Sequence, residues 1–297
     1  MSDLGLGYSI NSAFSSRQPA REAADGVLAR ARVAAEAGYD LVEVGDHHAV
    51  RGYGYLQNVP MAARLAAHFD RVAAMVLLPL YDPVLLAEQL GTLDALVDRL
   101  DFWCAVGGGE AAFSAFGVPL AERAARFEEA LAVLEALWSE DGVRFAGEHF
   151  SLDDVSVNPK ADPRVCIGGT AEPAVRRAGR LGDAWVANAD VPLDGIETRL
   201  GWLAEEGADD LDVVVRRDAL VLEDGAAAEA EARQRLAEGY RGWPADADWL
   251  LVGDAASVAE DLDALAAAGA DEVVVRPMSL THGEETLRQV ARAHAMR

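Results

Sequence analysis

Eight short β-rich runs alternate with amphipathic helical stretches along the chain, and that alternation leaves few folds open. The strand-like runs cover 4–10, 40–44, 71–78, 99–106, 164–167, 184–187, 212–222 and 271–276. Helical patterns follow them at 22–37, 59–67, 84–96, 121–138, 172–181, 195–205, 226–240, 257–268 and 284–295. Strands joined by helices must lie mainly parallel, because a parallel pair needs a crossover of a dozen residues or more. The segments EAGYDLVEV and AAGADEVVV repeat one helix–Gly–strand junction, with Gly38 and Gly269 at the helix ends, and Gly182 stands after another helix. An open doubly wound sheet would place a glycine-rich turn after its first strand. Here that strand runs into Asn11-Ser12-Ala13-Phe14 instead. The expected fold is therefore an α/β (β/α)₈ TIM barrel, one domain over 1–297. Two insertions interrupt it. The first, 142–159, follows the fourth helix and reads as a hairpin; the second, 242–254, precedes the eighth strand.

Composition narrows the partners. Among 297 residues, 26 Lys and Arg face 50 Asp and Glu, a formal charge of −24. Such a surface repels phosphate backbones and anionic lipid, so neither nucleic acid nor membrane is an expected partner. The acids are dispersed and Lys160 is the only lysine, a composition like that of proteins from salt-loving organisms. Met1-Ser2-Asp3 begins with an acid and no apolar leader follows, so a cytoplasmic location is expected. Cys104 and Cys166 lie in apolar runs and read as buried thiols.

In a barrel the chemistry comes from the C-terminal ends of strands and the loops behind them. After the second strand come Gly45-Asp46-His47-His48. Period-two alternation groups Glu43, Gly45 and His47 on one side and Val42, Val44 and Asp46 on the other, which aims His47 at the mouth if the valines face the helices. An imidazole there exchanges protons near neutral pH, and Asp46 is placed to fix its tautomer; a plain loop histidine is the alternative. The third strand exits through Leu77-Leu78-Pro79-Leu80-Tyr81-Asp82-Pro83, which reads as a rigid connection with Asp82 capping the next helix. The fourth ends in Gly107, Gly108 and Gly109, then Glu110, a loop that brings backbone close to a ligand with a carboxylate behind it. Gly168, Gly169 and Thr170 precede a helix and form a candidate anion site, with a simple Thr cap as the other reading. Asn188 follows the sixth strand; Arg276, after the eighth, is a candidate partner for an anionic group or for one of the many carboxylates. No set of His and Cys has metal-ligand spacing, so no metal is expected.

These loops carry a resemblance. The pieces GYDLVEVGDHH, DRVAAMVLLPLYDPVLLAEQLGTLDALVDRLDFWCAVGGGEAAFSAFGVPLAERAARFEEALAVLEALW, VCIGGTAEPAVRRAGRLGDAWV and GDAASVAEDLDALAAAGADEVVV together resemble the luciferase-like monooxygenase family, which includes flavin monooxygenases and oxidoreductases dependent on coenzyme F420. The resemblance spans nearly the whole chain. It implies a three-ring cofactor lying over the third strand, near Met75 and Val76, where the family often has a non-prolyl cis peptide. It places the cofactor phosphate on Gly168, Gly169 and Thr170, with Asp46, Gly107, Gly108, Gly109 and Asn188 also around the cofactor. In the F420-dependent members the second strand ends in Asp-His and the fourth in Gly-x-Gly-Glu, which Asp46-His47 and Gly107-Gly108-Gly109-Glu110 match. His47 is then the group that handles the substrate proton, and Glu110 the group at the ring nitrogen. Arg51 stands near the position where sugar-oxidising members have a tryptophan, which puts a sugar phosphate substrate in doubt. The expected activity is hydride transfer between coenzyme F420 and a small organic substrate, in a homodimer. The alternative is a monooxygenase using reduced FMN and O₂, since Asp46-His47-His48 also fits the acid-His-His sequence of that branch. A second alternative is a non-catalytic flavin-binding barrel.

Overall fold

A computed structural model describes residues 4–297; Met1-Ser2-Asp3, on which the reading of the chain start rests, lie outside the described residues. The chain begins with β1 (Gly5–Ile10), β2 (Ala13–Ser15), α1 (Ala20–Glu36), β3 (Leu41–Val44), β4 (Tyr53–Tyr55) and α2 (Asn58–Leu65). It continues through β5 (Arg71–Leu77), α3 (Pro83–Asp94), β6 (Arg99–Ala105), α4 (Glu110–Ala115), α5 (Arg123–Ser139), β7 (Val143–Ala146) and β8 (Ser151–Val155). Next come β9 (Arg164–Gly168), α6 (Glu172–Leu181), β10 (Ala184–Ala187), α7 (Leu193–Glu205) and β11 (Asp212–Val221). The last elements are α8 (Gly225–Ala237), β12 (Leu251–Gly253), α9 (Ala255–Ala267), β13 (Glu272–Pro277) and α10 (Gly283–Ala295). Eight strands pair in the order β10–β9–β6–β5–β3–β1–β13–β11, and β11 pairs back with β10. This is the α/β TIM barrel that the alternation requires.

The residues group into two compact units. One holds the chain to Asn11, Asp25–Val42 and Ile167–Arg297; the other holds Ser12–Ala24 and Glu43–Cys166. In the first unit the parallel ladder β1–β13–β11–β10 is in register at Leu6↔Val273, Val215↔Val273 and Val213↔Trp185. Tyr8 and Trp185 are its largest fully buried side chains. The repeated junction has one geometry: Gly38 and Gly269 sit at φ 91° and 98°, a left-handed conformation that glycine adopts without a Cβ clash. Gly182 differs. It is extended, and α6 ends there without a left-handed cap. The insertion at 242–254 contributes β12, which pairs with β11 through Ala219↔Leu251 and Val221↔Gly253. A satellite core of Leu220, Leu222, Ala228, Ala232 and Met278 lies beneath it.

In the second unit β5 and β6 run in register from Arg71↔Arg99 to Leu77↔Ala105. Trp103, Phe102, Phe113 and Phe127 are its largest buried side chains. Among the described residues the cis peptide is Asn158–Pro159; Met75–Val76 is not one, which corrects the expectation from the resemblance. Here the ladder proceeds without a break through Met75↔Trp103 and Val76↔Cys104, as a trans chain requires. Asp82 caps α3 as expected, accepting from the N–H groups of Val84 and Leu85, both at 3.0 Å. The hairpin at 142–159 is present as β7 and β8. Its turn is clasped by Glu129 of α5, whose carboxylate accepts N–H bonds from Glu148, His149 and Phe150 at 3.1, 2.8 and 2.6 Å. Lys160 is spent on structure: its ammonium donates to the Leu137 carbonyl at 3.0 Å and pairs with Asp141 at 3.0 Å, where a cation suits the C-terminus of α5. Both thiols are buried and free.

Gly91 offers a direct test of how α3 meets the insertion. A Cβ there would stand 2.0 Å from the Pro159 carbonyl oxygen. Alanine ordinarily stabilises a helix interior by about 1 kcal/mol over glycine. Gly91→Ala is expected to do the reverse and to cost about 2 kcal/mol through overpacking. Urea unfolding measures it, and a variant as stable as the parent would remove the contact.

Candidate active site

The end of β3 organises one constellation within the second unit. Asp46 lies two residues past the strand with its side chain fully buried. Its carboxylate accepts the Leu77 N–H at 2.8 Å and the Tyr81 hydroxyl at 3.0 Å, and His48 Nε2 lies 2.9 Å away. Asn58, the first residue of α2, donates from Nδ2 to the Met75 carbonyl at 2.6 Å and to the Tyr81 oxygen at 3.2 Å. One buried carboxylate thus joins the end of β3 to the exit of β5 and, through Tyr81, to the start of α2. Burial first, and the Asp46 charge second, push the Tyr81 pKa well above that of an ordinary phenol. Tyr81 therefore remains a neutral donor to Asp46. His48 Nε2 stands 2.9 Å from the same carboxylate and 3.3 Å from the Tyr81 oxygen. His48 is closed in further by Phe116, edge-on at 4.9 Å between ring centroids.

His47 has a different environment. Asp46 was expected to orient it, but engages His48 instead, because residues 46 and 48 share a side of the extended chain and 47 faces the other way. A Cβ at Gly45 would lie 3.4 Å from His47 Cε1 and 3.6 Å from a Glu43 carboxylate oxygen, so Glu43, Gly45 and His47 do share a side. Glu43 is fully buried, whereas His47 is exposed. The imidazole stacks on Tyr55, with centroids 4.4 Å apart and planes within 7°. Tyr55 belongs to β4, whose partner β2 contributes Phe14; a Cβ on Gly54 would fall 2.3 Å from the Phe14 ring. The ribbon is built to hold an aromatic face against His47.

The other exits of the second unit carry the remaining candidates. Met75 is half-buried while Val76 is fully buried, so of that pair Met75 is the accessible one. After β6, Gly107 and Gly109 adopt φ 70° and 91°, and positions 108 and 109 have nothing within 4 Å of where a Cβ would stand. That backbone is open to close approach, as three glycines suggested. Glu110 is exposed and begins α4, where a carboxylate meets the helix's positive end.

The first unit holds the others. Gly169 is packed tightly: a Cβ there would stand 2.5 Å from that of Ala174, and its carbonyl accepts the Trp185 indole N–H at 2.7 Å. Thr170 is not the cap of α6. The N-cap is Ala171 and the helix opens with Glu172 and Pro173, so its first turn offers fewer free N–H groups than the glycine–threonine pattern implied. Asn188 is exposed after β10. Arg276 is engaged with a carboxylate: it pairs with both oxygens of buried Asp218, at 3.1 and 2.7 Å, and Tyr240 and Arg241 bond to the same group. Burial pushes the Asp218 pKa up, but the two arginines outweigh it and hold the group below the usual carboxylate range. The reading of Arg276 as a partner for one of the chain's own acids is therefore the one observed.

The family model described as luciferase-like monooxygenase matches residues 5–272. The chain belongs to that family. Among its relatives, an F420-dependent glucose-6-phosphate dehydrogenase of Beutenbergia cavernae is 32% identical over 198 residues, covering 61% of this chain and 58% of that protein. An FMNH₂-dependent dimethylsulfone monooxygenase of Pseudomonas fluorescens is 30% identical over 169 residues, covering 54% and 46%. The chain spans about three fifths of the length of the first curated relatives it matches. In fold, it is similar to the monooxygenase RslO1 of Streptomyces bottropensis, with a TM-score of 0.84, 21% identity and 98% of each chain covered. Its family relatives thus include both F420- and FMN-dependent oxidoreductases. Among the described residues, no helix is long and apolar enough to cross a membrane.

Sequence reasoning singled out Asp46 and His47 but missed His48, Asn58, Tyr81 and Tyr55 as members of the constellation. The signal for Tyr81 was present: it lies in a proline-bracketed strand exit, read only as a rigid connection. Tyr81→Phe removes the hydroxyl that links Asn58 to Asp46. It is expected to cost about 1–2 kcal/mol in urea unfolding. An unchanged midpoint would show that the network contributes nothing to the fold.

Proposed function

We propose that this protein is an F420-dependent oxidoreductase acting on a small organic substrate, with His47 as the group that accepts or returns the substrate proton. The observation that carries this reading is the division of labour between neighbouring histidines: His48 is bound to Asp46, while His47 is exposed and held face-on by Tyr55. An imidazole oriented by stacking and open to solvent suits proton transfer with a substrate hydroxyl or carbonyl. The deazaflavin supplies the hydride-accepting carbon when bound. Open backbone at Gly108 and Gly109 fits close approach of a flat ring, and the exposed Glu110 is the candidate for the proton at its nitrogen. Asp46 acts as a positioning residue, since its contacts fix the β5 exit beside Met75 and Val76. Gly168, Gly169, Thr170 and Asn188 remain the proposed contacts for the rest of the cofactor, on the strength of the family resemblance.

A second reading keeps the site and uses reduced FMN with O₂; a relative named as an FMNH₂-dependent monooxygenase, 30% identical, favours it. A cytoplasmic homodimer adapted to salt is part of the same proposal, supported by the family resemblance and the charge of −24.

Fluorescence titration of the purified protein with F420 and with FMN, in low and in multimolar salt, separates the two readings. Tighter F420 binding is expected, and a clear preference for FMN would overturn the assignment. With an active substrate in hand, His47→Ala should lower kcat by about 10²–10⁴-fold, the usual scale for losing a general acid or base. Circular dichroism should be unchanged because the side chain is exposed. Full activity in that variant would take His47 out of the mechanism.

A further inference from the structure

A pocket in the first unit has its own chemistry. It is a cavity of about 80 Å³ between α7 and α9, closed by the segment that leads into β12. Arg217 of β11 lines it, with the residue only 3% exposed. One of its N–H groups bonds the Arg216 carbonyl at 2.9 Å. Among the described residues no carboxylate makes an ion pair with this guanidinium, although Asp190, Asp248 and Asp261 act on its charge from further off. Burial holds its pKa down to about 10, still high enough to keep it charged at neutral pH. Trp249 lines the same cavity, and its indole N–H is buried without a hydrogen-bond partner.

Arg217 commits one donor to backbone and makes no ion pair, so its planar fork is left for an acceptor within the cavity, the geometry that recognises a carboxylate. Leu193, Leu250 and Leu265 supply apolar wall, and Asp248 and Asp261 stand exposed at the rim. A simple anion would meet the guanidinium but also these two acids. A molecule carrying both charges meets each with its complement.

We infer that this pocket binds a small zwitterion of the amino-acid class, its carboxylate on Arg217 beside the Trp249 side chain, and its ammonium toward Asp248 and Asp261. The volume suits a ligand with a short side chain against Leu193 and Leu265. None of these residues belongs to the proposed active site, so this inference stands or falls separately from the assignment of cofactor.

The test is ¹⁵N-detected titration of the full-length protein with L-alanine, propionate and propylamine, following the Trp249 indole signal identified by its loss in Trp249→Phe. L-alanine is expected to move that signal in a saturable way, with propionate weaker and propylamine silent. Arg217→Gln should weaken L-alanine binding by about tenfold or more, as expected for losing a charged hydrogen bond. Asp248→Asn, at an exposed position that leaves the fold intact, should erase the preference for L-alanine over propionate. Propionate binding as tightly as L-alanine, L-alanine binding as tightly to Arg217→Gln as to the parent, or no response to any of the three would each overturn the proposal.

Discussion

A single buried carboxylate ties the end of β3 to the exit of β5. Asp46 gathers a backbone N–H from the end of β5, the phenol of Tyr81 and the imidazole of His48. A buried carboxylate is tolerated only when its oxygens are occupied in this way. The consequence reaches beyond Asp46. Because Tyr81 must give its hydrogen to the carboxylate, its oxygen is free to accept from Asn58, and Asn58 in turn holds the Met75 carbonyl. The end of β5, where the resemblance seats a planar cofactor, is thereby fixed from two directions. His48 is absorbed in the same network, and of the two neighbouring histidines only His47 is left exposed.

Two other buried aspartates show how position decides what a charge cluster is for. Asp101 on β6 is clamped by Arg71 at 2.6 Å and by Arg164 at 3.2 Å, residues that begin β5 and β9. Asp218 on β11 is clamped by Arg276 at 2.7 Å and Arg241 at 3.1 Å. Both are one carboxylate between two guanidiniums. The first lies at the N-terminal ends of parallel strands, the face of a barrel where such groups serve stability. The second lies toward the C-terminal end of β13 and takes in Arg241, which holds φ 53° and stacks on Trp243 at 4.6 Å. A non-glycine residue in that conformation persists only where its surroundings insist on it. Here the Asp218 pair and the tryptophan face supply that insistence, and they anchor the irregular segment before β12.

The fold was legible because it repeats. Each of the eight barrel strands follows a run of β-rich residues, and the paired Gly38 and Gly269 junctions mark one βα unit used twice. What the sequence concealed was short or non-local. The β2–β4 ribbon consists of three-residue strands some forty positions apart, too brief for a period to register. Helix α4 has six residues and hides behind glycines that announce a loop. In the site, alternation placed His47 correctly relative to Glu43, and the same rule, carried one residue further, assigns His48 to the side of Asp46. Adjacency along the chain suggested the opposite pairing. In an extended segment the partner of a side chain is two residues away, not one.

That geometry bears on the choice between the two chemistries found in the family. An acid followed by two histidines fits either branch as a string of letters. In space it is not one group of three. Asp46 and His48 form a pair closed in by Tyr81 and Phe116, and His47 stands apart on the Tyr55 face. In the proposed reading the reacting unit is one exposed imidazole stacked on Tyr55, with His48 turned to Asp46 on the other side. Removing a proton from a hydroxyl while hydride leaves the adjoining carbon asks for one well-placed base and little else. Stabilising an oxygen adduct asks for several donors converging on one point. The side chains around His47 supply the first arrangement more nearly than the second, and on that ground the hydride-transfer reading is the one proposed.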